Sequence, residues 1–248
     1  MTMTGPDNAK VVSQDDDDYF TSIDRESPEQ SLALRTGWLG MMFSAVNREA
    51  GLDVESLHDL QHGGNRAAVP ALTRFLYSIP SRNLQCAVIH ILGRKQYRPD
   101  SVDVLIQAYR DFAGAHAGGG SRMQWYIASA IDGPVSEKQI DEIFGLIEEL
   151  PSKLDAGFLL NAVARTKKQR ERAVLLTKEV LEMALETNKD PDDPAPNDAV
   201  NAVTAAGKLR DPRLYSPLKV MADTPNTWMR DRVKRALAQC EPKQENAT

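Results

Sequence analysis

Pairs of helical segments recur along this chain at intervals of 33–43 residues, and that spacing restricts the fold more than any other feature. From Asn65 onward each pair reads as a first segment rich in large aliphatics, a short break, and a second segment rich in small residues. First segments start near Ala68, Val102, Ser136, Ala173 and Pro212, at intervals of 34, 34, 37 and 39 residues. Second segments centre near Val88, Ile127, Leu160, Val203 and Ala236, at intervals of 39, 33, 43 and 33. No stretch alternates β-branched and polar residues as a strand would. A helix pair cannot bury its apolar stripe alone, so neighbouring pairs must stack, and a recurrence of this length is the mark of a helical solenoid. The expectation is an all-α fold: an α-solenoid of about five helical hairpins over residues 65–240.

Local signals support this registration. Ser27-Pro28-Glu29-Gln30 offers a hydroxyl cap, proline at the first helical position and a glutamine able to return a bond to the cap. Apolar positions then follow at Leu34, Trp38, Leu39, Met42, Phe43 and Val46, and the helix should stop near Gly51. A shorter polar helix over Val54–Gln61 ends at Gly63-Gly64, so residues 27–64 read as N-terminal capping helices with Trp38 in their core. Further on, Ser136-x-x-Gln139 forms a capping box, Asp211-Pro212 places a cap before a proline, and Asp100 or Ser101 can cap the helix reading VDVLIQAY. The segments 113–120 and 187–196 carry glycine or proline that forbids helix.

The chain has 248 residues, 42% of them hydrophobic and 26% charged, enough to build a packed core. Its net charge of −5 is concentrated in a tail: residues 1–30 hold eight acids against two bases, whereas residues 31–240 hold 27 bases against 25 acids. The run Asp15-Asp16-Asp17-Asp18 and the lack of apolar periodicity predict disorder over 1–26, and residues 241–248 read as a second disordered tail. A near-neutral body is unlike a dedicated nucleic-acid binder. No apolar stretch approaches the roughly 18 residues of a membrane span, so no membrane partner is expected. The polar first ten residues lack the pattern of a secretory leader. Cys86 and Cys240 form no metal-type spacing and favour a reducing, cytoplasmic setting.

Two stretches go beyond periodicity. Val69-Pro70-Ala71-Leu72 is followed by Arg82-x4-Ala87-x4-Leu92-Gly93. Ala202-x3-Ala206-Gly207-Lys208-Leu209-x-Asp211-Pro212-Arg213 runs on to Pro217-Leu218. Both resemble HEAT repeats, especially the short HEAT-like repeats of bacterial proteins: an alanine-rich second helix ends in glycine and an Asp-Pro turn leads into the next first helix. The middle of the chain departs from this pattern, with Asp132 at the position matching Gly93 and neither glycine nor Asp-Pro turn over 156–172. The resemblance covers about 66–240. It implies stacked antiparallel hairpins, an N-terminal capping helix, and second helices lining a concave surface that binds a protein or peptide, sometimes nucleic acid, and seldom catalyses.

Helical periodicity sorts the second helices into two faces. In the first, Leu84, Ala87, Val88, Ile91 and Leu92 form the buried stripe, while Cys86, Ile89 and His90 point away from it. In the next, Tyr126, Ile127, Ala130 and Ile131 are buried and Trp125, Ser129 and Asp132 face outward. The outward set continues through Phe158, Asn161 and Arg165, then Asn201, Ala205 and Lys208, then Arg230, Lys234 and Arg235. This ladder is aromatic at one end and basic at the other. The candidate binding residues are therefore His90, Trp125, Ser129, Asp132, Phe158, Asn161, Arg165, Asn201, Lys208, Arg230 and Lys234. Trp125 beside Phe158 suits an anchor, since aromatic residues and arginine dominate binding hot spots. Trp228 is expected to seal the C-terminal end.

Catalytic constellations are weaker. His58 and His62 stand one turn apart with Glu55 a turn earlier, a face that could hold zinc, but with only four histidines in the chain no metal is expected. Cys86 one turn from His90 allows a thiolate–imidazole pair without a third orienting group. Gly118–Gly120 follows no strand and precedes no Gly-Lys-Ser/Thr, so it is not a phosphate loop. In size and architecture the chain is similar to bacterial alkylpurine DNA glycosylases. Trp125, Asp132, Phe158 and Arg165 raise this alternative without matching that family's tryptophan and aspartate spacing, and the basic cluster Lys167, Lys168, Arg170 and Arg172, with Arg230, Arg232, Lys234 and Arg235, is the one feature in favour. An open groove excludes water poorly, and preorganised electrostatic catalysis needs water excluded. The expected function is non-catalytic macromolecule binding, without cofactor, to a protein or peptide, as scaffold, adaptor or toxin-neutralising immunity protein. A DNA glycosylase is the alternative, with nucleic acid the less favoured partner.

Overall fold

The computed structural model describes residues 28–113, 122–187, 197–222 and 227–242. Among them are twelve α-helices and no strand: α1 (Pro28–Ala50), α2 (Leu57–Gly63), α3 (Val69–Ser78), α4 (Arg82–Leu92), α5 (Asp100–Ala113), α6 (Arg122–Ile131), α7 (Glu137–Glu148), α8 (Gly157–Val163), α9 (Arg170–Thr187), α10 (Asn197–Leu209), α11 (Tyr215–Met221) and α12 (Thr227–Cys240). The expected first segments coincide with α3, α5, α7, α9 and α11, and the second segments with α4, α6, α8, α10 and α12. The acidic tail 1–26, the cap Ser27, the breaks at 114–121 and 188–196, and residues 243–248 lie outside the described residues, as do the side chains of Leu34 and Trp228. No helix among the described residues is long and apolar enough to cross a membrane. The chain divides into two compact units, Met1–Leu105 and Ile106–Thr248, with the boundary inside α5.

In the N-terminal unit α1 packs on α3, α3 pairs with α4, and α2 packs on α4. Helix α1 ends at Ala50 because Gly51 takes φ +63°, a left-handed conformation that glycine adopts at no steric cost. The residues after it carry no helix up to Ser56, two or three residues beyond the expected start of the polar helix. The cause is a side-chain clasp: the Asn47 amide donates to the Val54 carbonyl at 2.9 Å and accepts from the Val54 N–H at 2.8 Å. Ser56 then caps α2 by accepting from the Asp59 N–H. Tyr97 is fully buried and its hydroxyl donates to the Leu60 carbonyl at 2.6 Å. A Cβ at Gly64 would lie 1.7 Å from that hydroxyl, so the glycine ending this helix makes room for a core tyrosine. Trp38 is half-buried, edge-on to Phe75 with centroids 6.3 Å apart, rather than enclosed in a core.

Helix α4 corrects the two-faced reading. Leu84, Ala87, Val88, Ile91 and Leu92 are buried as expected, but so are Cys86 and Ile89, which were expected to point away. With α2 and α3 both packed on it, α4 is covered on more than one side. His90 and Arg82 remain exposed.

In the C-terminal unit the second helices pack in chain order: α6 against α8, α8 against α10, α10 against α12. Each later one also pairs with the helix before it, α7 with α8, α9 with α10 and α11 with α12, and α9 meets α11. Helix α8 has only seven residues and follows a capped 3-10 turn, Lys153–Ala156. It opens at Gly157, φ +44°, another left-handed position reserved for glycine. The Ser136–Gln139 capping box at α7 is present in both directions, at 2.9 and 3.3 Å. Helix α5 starts at Asp100, and Ser101 is buried with its hydroxyl oxygen unpartnered, so Ser101 does not cap it.

Asp211 caps the turn Pro212–Leu214 that leads into α11, accepting from the Arg213 N–H at 3.1 Å and from the Arg213 guanidinium at 2.9 and 3.0 Å. These bonds, above all the one from the Arg213 side chain, hold its carboxyl below the ordinary 3.8. A depressed folded-state pKa contributes stability that is present above the unfolded value and lost as pH falls through the folded one. Asp211→Ala, which removes cap and charge, is expected to cost about 1–3 kcal/mol at neutral pH. Asp211→Asn keeps the cap acceptor and should cost less. Urea midpoints at pH 6 and pH 3 check this: the wild-type advantage over Asp211→Asn should be present at pH 6 and shrink at pH 3.

Candidate functional site

Ten of the eleven expected contact residues lie on α6, α8, α10 and α12, or directly after one of them, in the C-terminal unit. His90 lies on α4 of the other unit, exposed. Trp125 on α6 is 45% exposed and meets Phe158 of α8 edge-to-face, with centroids 5.3 Å apart at 79°. It also sits edge-on to Tyr126 at 5.2 Å. A large ring held by two aromatic contacts, yet nearly half open to solvent, is rigid apolar area ready for a partner; such pairs contribute about 0.5–1.5 kcal/mol beyond area burial. The stripe beneath it comprises Met123, Gln124, Ile127, Ala128 and Ile131; Tyr126 and Ala130, expected there, are half-buried. The hydroxyl of Ser129 donates to the Tyr126 carbonyl of its own helix at 2.7 Å.

One turn further along this face, Asp132 joins three helices. Its Oδ1 accepts from Arg165, just beyond α8, at 3.1 Å and from Lys208 of α10 at 3.2 Å. Lys208 Nζ also donates to the Asn161 carbonyl at 3.4 Å. Burial lowers the Lys208 pKa and the nearby Arg165 lowers it further, while Asp132 pulls it back up. Partly exposed pairs of this kind contribute little stability individually. Their effect is to hold two cations at set positions about two helical turns along from the aromatic pair.

Asn161 and Asn201 are corrections. Both were expected to face outward, and both are buried, 2% and 6% exposed. Helix α8 is flanked by α6 and α10, so a position open on an isolated hairpin is covered in the stack. The Asn161 amide donates to Asn201 Oδ1 at 2.9 Å, tying α8 to α10, while its own Oδ1 is buried without a hydrogen-bond partner. Ala205, also expected outward, is fully buried.

The basic end has a shape that periodicity did not reveal. Between α10 and α12 lies a cleft of about 350 Å³, lined among others by Lys208, Arg210, Arg232 and Arg235. Arg210 follows the last residue of α10 at φ +51°, the position where a glycine would end the helix without strain. It was missed because the expected glycine signal, Gly207, lies three residues earlier. Arg230 is half-buried and Lys234 exposed on α12.

By contrast, the cationic run at 167–172 is partly occupied. Arg170 donates to the Leu209 carbonyl and pairs with Asp211, whereas Arg172 pairs with Glu148 and lies 4.1 Å over the Phe144 ring. His58 and His62 stand ring to ring at 4.4 Å, and no group of three potential metal ligands occurs among the described residues. Cys86 and Cys240 are buried free thiols.

Compared with known proteins, the chain matches no family model. Nor does any curated protein match it in sequence.

The buried amide pair is directly testable. Asn161→Ala and Asn201→Ala should each cost about 1–3 kcal/mol, because each leaves a buried partner unsatisfied. The double variant should cost at least 0.5 kcal/mol less than the two losses added, on the order expected for residues in contact. Chemical denaturation of the four proteins measures this, and strict additivity would show that the pair does not couple α8 to α10.

Proposed function

We propose that this protein is a HEAT-like α-solenoid that binds another macromolecule, a protein or peptide, without catalysis, through the face carrying α6, α8, α10 and α12. The observation carrying this reading is the exposed Trp125 held edge-on to Phe158, with the Arg165–Asp132–Lys208 cluster about two helical turns further along. An ordered aromatic anchor with charges fixed about two helical turns along the same helices combines the ingredients of a hot spot, apolar area with polar groups around it. The order in which the second helices pack, each against the next, supports the repeat architecture. Roles as a scaffold, an adaptor or an immunity protein that plugs a toxin's active site all fit such a face, and the cytoplasm is the setting we propose.

A DNA glycosylase reading draws less support. It would set Asp132 as the catalytic carboxylate, yet that carboxylate is already engaged by two cations of the protein itself, Arg165 and Lys208. Two members of the cationic run once in its favour are engaged with carboxylates of the protein itself.

Capture from native lysate with wild-type protein, Trp125→Ala and Phe158→Ala tests the face. Loss of the anchor should weaken binding of the captured partner by about 2 kcal/mol or more, close to thirtyfold. Helicity should be retained, since Trp125 is half exposed. Unchanged partner affinity in both variants would reject this face, and base release from alkylated DNA by the wild type would reject the non-catalytic reading.

A further inference from the structure

The α10–α12 cleft has properties that macromolecular contact in general does not require. Four cationic side chains line it, Lys208 and Arg210 from the end of α10, Arg232 and Arg235 from the middle of α12, and among the described residues no acidic side chain lines it. Lys208 has Asp132 as a counter-ion. Arg210 and Arg235 form no ion pair among the described residues, and Arg235 bonds through Nε to the Asp231 carbonyl of its own helix at 3.2 Å. Gathering like charges in one concavity opposes folding through mutual repulsion. For Lys208 and Arg210 the carbonyl end of α10 offsets some of this cost. Arg232 and Arg235 are mid-helix, away from the carbonyl end of α12.

Backbone conformation adds an independent observation. Arg210 sits at φ +51°, where a non-glycine residue carries strain on the order of 1 kcal/mol. A glycine here would end α10 as Gly51 ends α1. The chain instead places a guanidinium at the rim of the cleft. Strain retained at a charged position facing a concavity points to a ligand for that charge.

Size and donor type then define the ligand. A cleft of about 350 Å³ is near the lower limit for small-molecule sites, enough for one compact anionic group and the atoms attached to it. Three guanidiniums present planar forks that match tetrahedral oxyanions in bidentate fashion. Lys208 adds a point charge, and Thr204 and Gln239 add neutral polar groups to the lining. Among the described residues no aromatic side chain lines the cleft to offer a platform on which a nucleobase would stack. We propose that this cleft is a binding site for a phosphate monoester dianion, carried either by a small metabolite or by a phosphorylated side chain of a peptide.

The inference does not depend on the aromatic anchor. Trp125 lies on α6 and is not part of the cleft, so Trp125→Ala leaves all four cations in place and the two proposals can fail separately. Calorimetric titration of the full-length protein with phenyl phosphate, a phosphoserine peptide with its unphosphorylated control, and inorganic sulfate tests it. Saturable binding of phenyl phosphate is expected, with sulfate competing. Affinity should rise as pH is raised from about 5 to 7.5, because the monoester takes its second charge near pH 6. Arg235→Gln and Arg210→Gly should each weaken binding by about tenfold. Arg210→Gly is the decisive variant, since it relieves the backbone strain and should leave the thermal midpoint unchanged or higher. Equal affinity for phenyl phosphate and the phosphopeptide identifies the phosphate group alone as the determinant; a peptide preference that vanishes without its phosphate assigns the peptide source. No saturable binding, or binding undiminished in Arg210→Gly and Arg235→Gln, overturns the proposal. Tight binding of a single-stranded oligonucleotide that phenyl phosphate does not displace also overturns it, in favour of a nucleic-acid track.

Discussion

Everything in the C-terminal unit depends on α8 being covered by its neighbours. A seven-residue helix is far below the length at which a helix holds together in water. Of its residues all but Phe158 are buried, and Leu159, Leu160, Ala162 and Val163 are fully so. Burying large aliphatics of this kind contributes about 1.5–3 kcal/mol each, which no isolated hairpin could realise on every side at once. Helices α6, α7 and α10 supply the cover. The same enclosure dictates where polar groups can sit. Asn161, at the middle of the enclosed helix, must find a protein partner and finds it on α10. Phe158 and Arg165, near the two ends, emerge at the surface beside Trp125 and Asp132.

Small residues play the matching part between α10 and α12. Ala202, Ala205, Ala206 and Gly207 are buried on α10, and Ala236 is buried on α12. The thiol of Cys240 reaches the Ala206 carbonyl at 3.3 Å, and a Cβ on Gly207 would come within 2.8 Å of Gln239 Oε1. With the backbones this close, only long side chains near the helix edges can leave the contact zone. The edge positions here are Lys208, Arg210, Arg232 and Arg235, so close approach of two helices and convergence of four cations arise from one packing arrangement.

Legibility in the sequence followed from the range of the responsible interactions. Caps and breaks are local, and Gly51, the Ser136–Gln139 box and Asp211 read correctly for that reason. Periodicity also placed Trp125 on an open face, because a single helix decides that. It misjudged Asn161, Asn201, Cys86 and Ile89, whose exposure is settled by a second neighbouring helix that a one-helix projection does not contain. The Asn47–Val54 clasp, which keeps the chain out of helix where one was expected, is likewise a contact between residues seven apart and has no signature in propensity. Arg210 escaped notice for a different reason: a helix terminus in left-handed conformation is read from glycine, and here the residue is arginine.

Charge is distributed between the two sets of helices in a way the totals conceal. On α7 and α9 five acids are in ion pairs: Glu142 with Arg110 and Lys138, Glu148 with Arg172, Glu171 with Arg213, Glu179 with Lys153 and Glu182 with Lys178. These pairs are exposed or half-exposed and contribute little stability one by one. Two other carboxylates, Asp132 and Asp211, stand just beyond the ends of α6 and α10. Each is already bonded to two cationic side chains. A body that is almost neutral overall nonetheless has a local cationic surplus on α12, which carries Arg230, Arg232, Lys234 and Arg235 against one acid, Asp231. A charge separation maintained against its own repulsion, at a strained residue, within a concavity of defined size, is more restrictive than net charge as a guide to what this protein meets.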